Sequence, residues 1–194
     1  MMNRLFASLL ALLLLAGCGQ PKAEKAPLEG ARMGGAFALT GEDGGIVRDT
    51  DFAGKYRLVY FGYTFCPDVC PVDLQKLMLG LKALEKSDPD VAARVQPLFV
   101  TVDPARDTPA VVKEFTDAFH PRLIGLTGTP QQIETVSRAY GIYSQKGNET
   151  APGVYLVDHS RQATLYGPKG EPIALIPEQG SPDEIAAELR RWVR

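Results

Sequence analysis

The chain is short of several things at once. Its 194 residues include 3 cysteines, 2 histidines and 1 tryptophan. Three thiols are too few to staple a domain of this size, which excludes a disulfide-rich secreted scaffold. Lysine and arginine (21) do not outnumber aspartate and glutamate (23), and the formal net charge is −2. Without a basic excess, the electrostatic footprint of a nucleic-acid binder is missing. No apolar run reaches the ~20 residues that a membrane-spanning helix needs. No internal repeat is visible, which removes solenoids and propellers. What remains is one domain of ordinary size, large enough for a real core.

The longest apolar run opens the chain. Arg4 precedes Leu5 to Ala16, a stretch broken only by Ser8. A short basic start followed by an apolar centre reads as a secretory signal over residues 1–17. Its end, Leu15-Ala16-Gly17-Cys18, resembles the bacterial lipobox, after which Cys18 is lipidated and becomes the new N-terminus. Several acyl chains anchor a protein stably where one does not. Residues 18–34 are mostly polar and read as a flexible tether. A folded domain is expected over residues 35–194, held by the lipid anchor at a membrane of a bacterial cell envelope, on the extracytoplasmic side. Disulfides persist in such a compartment. With Cys18 set apart, the domain keeps Cys66 and Cys70.

Two short strands, Ala36–Thr40 and Ile46–Asp49, flank the turn Gly41-Glu42-Asp43-Gly44-Gly45. Arg57–Tyr63 and Gln96–Val102 are apolar, aromatic and β-branched runs suited to buried strands. Leu123–Leu126, Gly153–Asp158, Gln162–Tyr166 and Ile173–Ile176 are shorter strand candidates. Helices are expected to open at Pro71, Pro109 and Pro130, each with apolar residues at helical spacing. A last helix follows Ser181-Pro182-Asp183-Glu184, a capping box. This order predicts an α/β fold, with a mixed sheet closed by a hairpin from Tyr155 to Ile176. It is the layout of a thioredoxin-like domain: a mixed central sheet flanked by helices, with an N-terminal β-hairpin.

Chemistry concentrates in Tyr60-Phe61-Gly62-Tyr63-Thr64-Phe65-Cys66-Pro67-Asp68-Val69-Cys70-Pro71. An aromatic strand ends there and a helix begins. Helix N-termini carry partial positive charge and unpaired N–H groups, which favour thiolate. Were Cys66 to Cys70 helical, their Cα atoms would lie ~6 Å apart, inside the ~7 Å limit for a disulfide. The pair suits dithiol–disulfide cycling, and equally a two-thiolate clamp for a soft ion such as Cu(I) or Zn(II). A clamp needs a third ligand. His120 ends a helix before Pro121, where the dipole makes a structural role the simpler one. His159, in Val157-Asp158-His159-Ser160, is either a structural turn residue or a ligand brought to the sulfurs. Asp68 lies inside the cysteine loop, as a tuner of the thiolates, a weak hard ligand or a cap. Asp103 and Asp107 lie at the C-terminal end of a strand, the edge where α/β sites are built. They serve either as structural groups, with Asp107 or Thr108 capping the next helix and Arg106 pairing with a carboxylate, or as outer supports of a site.

The segment from Tyr60 through Pro71 resembles the Sco (SenC) family of copper-binding, thioredoxin-fold proteins. So do Asp103 to Pro109, Leu126-Thr127-Gly128-Thr129, Ala139-Tyr140 and Val157-Asp158-His159. The resemblance implies copper held by Cys66, Cys70 and His159, with Cu(II) taking a fourth ligand from water or Asp68. It implies a metallochaperone whose partner is cytochrome c oxidase subunit II, or another copper-acceptor protein, and whose binuclear copper site it supplies or whose thiols it maintains. A periplasmic thiol reductant is implied as well. The lipobox replaces the transmembrane anchor common in the family, and the segment Ser144 to Pro152 is short. Two other functions compete: a membrane-anchored thiol–disulfide oxidoreductase, which is an enzyme and does not need His159, and a copper or redox sensor.

Overall fold

The computed structural model describes residues 24–194. The signal segment and Cys18 lie outside the described residues. The first described residues, expected as tether, rest on the body. The N–H of Leu28 donates to the carbonyl of Ile173 at 2.9 Å, and that of Gly34 to Ala139 at 2.8 Å. Ala26 and Met33 pack on the core, and Glu24 pairs with Arg191.

β3 (Tyr56–Gly62) and β4 (Val95–Thr101) are buried at every position. They run parallel, in register from Tyr56↔Val95 to Gly62↔Thr101. Both faces of this pair are covered, as their unbroken apolar sequences require. β5 (Ile124–Thr127) extends the parallel set on the far side of β4. The N-terminal hairpin of β1 (Ala38–Gly41) and β2 (Ile46–Arg48) adds to β5 in antiparallel fashion. On the other side, β8 (Ala163–Tyr166) and β9 (Pro172–Ile176) form an antiparallel hairpin against β3. The sheet reads β2-β1-β5-β4-β3-β8-β9. Its centre, β4-β3-β8-β9, is the expected thioredoxin-like core.

Among the described residues, five α-helices complete the layers. α1 (Val69–Ser87) buries Leu74, Leu77, Leu81 and Leu84, an apolar stripe at helical spacing. It packs on α5 (Pro182–Trp192), where Gly80 gives Ile185 the room a side chain would take. α2 (Pro89–Ala93) is short. α3 (Pro109–Asp117), α4 (Pro130–Ala139) and α5 start alike. Thr108, Thr129 and Ser181 each accept the N–H three residues on, with proline next in line. No helix among the described residues is long and apolar enough to cross a membrane.

The structure departs from the sequence pattern in two places that matter to the site. Helix α1 begins at Val69 rather than Pro71, so Cys70 already belongs to its first turn. The strand expected over Gly153–Asp158 is confined to β7 (Val157–His159), and it does not join the central sheet. It pairs instead with β6 (Ser144–Lys146) in a separate two-stranded ribbon. β6 is exposed at all of its positions, so it lacks the alternation by which a strand is recognised.

Candidate metal centre

Cys66 lies in the turn after β3, with its N–H donating to the carbonyl of Tyr63 at 3.2 Å. Burial alone would push its thiol up. The backbone N–H groups of Cys70, Asp68 and Val69 point at the sulfur and outweigh that effect, so its proton is held more weakly than usual. This is a helix N-terminus acting on a thiolate through its unpaired donors. Cys70, one turn deeper, is fully buried, and burial holds its thiol well above the ordinary cysteine range. Its sulfur rests against β3 at Gly62, where a Cβ would stand 2.9 Å from Sγ. No other residue leaves space there.

His159 ends β7. Its Nε2 lies 3.2 Å from Sγ of Cys70, and its Nδ1 lies 2.8 Å from the carbonyl oxygen of Ser160. A carbonyl accepts only, so Nδ1 carries the proton and Nε2 offers its lone pair to the sulfur. Burial, the dominant influence, lowers the imidazole's proton affinity and keeps it neutral. The Tyr63 ring stands edge-on to the imidazole at 5.8 Å between centroids and fixes its plane. The donor atoms of Cys66, Cys70 and His159 all fall within 4.8 Å of one another, and no other His, Cys, Asp or Glu cluster of this kind occurs among the described residues. Both cysteines are free thiols. Two buried sulfurs and one half-buried imidazole nitrogen, without a hard oxygen donor, fit a soft ion.

The three aspartates fall outside this cluster. Asp68 is exposed and lends the sulfur of Cys66 its N–H rather than its carboxylate. Asp107 is buried, and burial raises its carboxyl above the ordinary range. It accepts from the N–H and hydroxyl of Thr64, at 3.1 and 2.7 Å, and from the hydroxyl of Thr101 at 2.5 Å. It thus braces the loop just ahead of Cys66, while Thr108 caps α3. Asp103 accepts from Tyr155 Oη at 2.8 Å and from Arg106 Nε at 2.5 Å. The Arg106 guanidinium lies 3.6 Å from the centroid of the Tyr155 ring and 4.9 Å from that of Phe65. One cation therefore joins the cysteine loop to the segment leading to His159. His120 is buried elsewhere, facing Glu85 at 3.4 Å.

Sequence reasoning passed over Tyr60, Gly62, Asp73 and Arg161. Asp73 gave a signal. It is an acid on the apolar face of α1, between Cys70 and Leu77, and it is fully buried. Gly62 and Arg161 gave none that pattern alone could pick out.

The chain matches the SCO1/SenC family over residues 25–194. It belongs to that family. Protein SenC of Rhodobacter capsulatus is 43% identical over 156 residues, covering 80% of this chain and 68% of SenC. The human mitochondrial SCO1 homolog is 37% identical over 192 residues, 93% of this chain and 62% of that protein. The chain thus spans somewhat under two thirds of the human protein's length. Among solved structures, copper-bound ScoI of Bradyrhizobium japonicum superimposes with a TM-score of 0.75 at 38% identity, covering 82% of this chain and 99% of that one. The Cys–Cys–His triangle of this SCO1/SenC member lies where β3, α1 and the β6–β7 ribbon converge.

Proposed function

We propose that the protein is a copper metallochaperone whose cargo is held by Cys66, Cys70 and His159. The observation that carries this reading is the convergence of two sulfurs and an unprotonated Nε2 within 4.8 Å. The copper-bound relative supports the choice of metal. The neutral imidazole and the weakly held Cys66 proton suit cargo uptake, and the Cys70 proton leaves as the metal arrives. Cargo is handed over by exchange with the thiols of an acceptor protein, of which cytochrome c oxidase subunit II is the candidate that the family implies. Phe65 and Pro67, on either side of Cys66, line a trough of about 740 Å³ with Val154, Tyr155 and Leu156. Phe65, Val154 and Leu156 are more than half exposed, which offers the acceptor an apolar approach beside the sulfur.

Copper stoichiometry of the reduced protein tests this. The parent is expected to bind one copper, Cys66→Ser to lose it, and His159→Ala to bind both Cu(I) and Cu(II) more weakly. A His159→Ala variant that binds as tightly as the parent overturns the reading. The envelope location rests on Cys18, whose lipid would be absent from a Cys18→Ser variant grown with labelled fatty acid.

A second reading, a thiol–disulfide oxidoreductase, draws on the contrast between the two thiols. Cys66 is the more acidic attacker and Cys70 the buried resolver. The dithiol would reduce an acceptor disulfide, becoming the Cys66–Cys70 disulfide while the acceptor gains both electrons and both protons. Metal-free protein that rapidly reduces an oxidised acceptor, with His159→Ala equally active, would favour it.

A further inference from the structure

Two contacts join the helix that carries Cys70 to the segment that carries His159. One is the sulfur–imidazole contact. The other lies beside it. Arg161 donates from Nε to Oδ2 of Asp73 at 3.1 Å and from Nη2 to Oδ1 at 2.8 Å. Asp73 stands three residues beyond Cys70, so the two share one face of α1. Arg161 follows His159 by two positions, and both side chains reach that face. The Asp73 side chain is 1% exposed, and its Oδ2 also accepts from Tyr60 Oη at 2.9 Å. The second contact is therefore fastened to β3, under the cysteine pair.

We propose that Arg161 and Asp73 are a positioning pair that sets His159 Nε2 against the two sulfurs before the metal arrives. This rests on the copper-site reading above. The β6–β7 ribbon has no strand pairing with the central sheet, so no ladder of backbone hydrogen bonds fixes His159 relative to Cys70. A two-pronged guanidinium–carboxylate contact fixes both a distance and a plane, and a lysine would fix neither as well. A third donor already in place spares the metal the work of ordering it.

The test uses the reduced full chain and competition against a colorimetric Cu(I) chelator. Parent, Arg161→Met, His159→Ala and the double variant form a cycle, with Arg161→Lys alongside. Arg161 is 38% exposed but its partner Asp73 only 1%, so Arg161→Met leaves a buried carboxylate without its cation and is expected to lower the denaturant midpoint. Affinities are therefore compared in buffer where circular dichroism shows every variant fully folded. We expect Arg161→Met to bind copper about tenfold more weakly, in the range for removal of a group that orients a ligand. In the His159→Ala background the same change is expected to matter less than about twofold, because there is no imidazole left to position. Arg161→Lys recovers part of the loss, and the Cu(II) absorption spectrum of Arg161→Met shifts toward that of His159→Ala. An equal loss in both backgrounds, or no loss at all, overturns the proposal while leaving the copper site standing. A His159→Ala variant indistinguishable from the parent overturns the copper-site reading itself, and this inference with it.

Discussion

His159 meets Cys70 across 89 positions of sequence, with Nε2 3.2 Å from the sulfur and its own proton committed to the Ser160 carbonyl. The Cys70 proton therefore has an acceptor inside the protein, whereas Cys66 faces backbone donors that favour thiolate. The two thiols are expected to differ sharply toward an alkylating agent. In reduced, metal-free protein near neutral pH, iodoacetamide should label Cys66 at least about tenfold faster than Cys70, since thiolate fraction and access set the rate. Peptide mass spectrometry after timed quenching reads this directly. Comparable labelling of both sites in the folded protein would contradict the assignment.

Gly62→Ala places a methyl where β3 passes the metal-binding sulfur. The added carbon would sit 2.9 Å from Cys70 Sγ, 3.1 Å from the Tyr60 ring and 3.2 Å from the Phe99 ring. All three neighbours are buried, so something packed must shift. Overpacking of this kind costs about 1–3 kcal/mol. Urea denaturation should show that loss, and copper competition should show weaker binding in the fraction that folds. Unchanged affinity would mean that the sulfur relaxes without disturbing the donor set.

Asp107→Ala removes the acceptor for Thr64 and Thr101 and leaves buried donors unpaired. A loss of about 2–4 kcal/mol is expected, from the ~1–3 kcal/mol of each stranded group after partial relaxation. Asp107→Asn, which keeps one carbonyl oxygen, should lose less. Denaturant midpoints of the two variants rank the effect, and equal losses would point to packing instead of hydrogen bonding.

The pH dependence of stability should carry a signature of His120. Burial, only partly offset by Glu85, lowers its proton affinity below the ordinary 6.5. The unfolded chain then binds more protons than the folded one just below that pH, so stability falls as pH falls through about 6.5 and stops falling at the depressed folded value. His120→Gln removes this share. Unfolding curves measured from pH 7.5 to pH 5 should therefore be flatter for the variant than for the parent. Parallel curves would show that His120 titrates alike in both states.

The cysteine pair and the helix starts were legible because their signals are local. An aromatic run stops, a proline follows, and Ser or Thr stands ready to cap. The same locality explains what was not legible. Val157-Asp158-His159 is a three-residue strand with an exposed Asp158, and nothing in it says which sheet it joins. Family resemblance, and not periodicity, brought His159 to the sulfurs. For Asp103 and Asp107 the sequence offered two roles, structural groups or outer supports of a site. Whether Asp107 would cap α3 or turn inward depended on backbone direction, which composition does not encode. Nothing in the sequence distinguishes Arg161 from a solvated cation; only the fold sets Asp73 beneath it.

The donor set spans two parts of the molecule that answer to different constraints. Cys66 and Cys70 are built into the junction of β3 and α1, and to change their surroundings is to disturb the core. His159 hangs from a ribbon that the central sheet does not pair with. Changes at the exposed positions Ser144 to Lys146 can alter how firmly cargo is gripped with little disturbance of the core, whereas Tyr155 and Val157 are buried in it. The grip can thus be adjusted from the exposed edge of the ribbon, at a distance from the thiol pair and its scaffold.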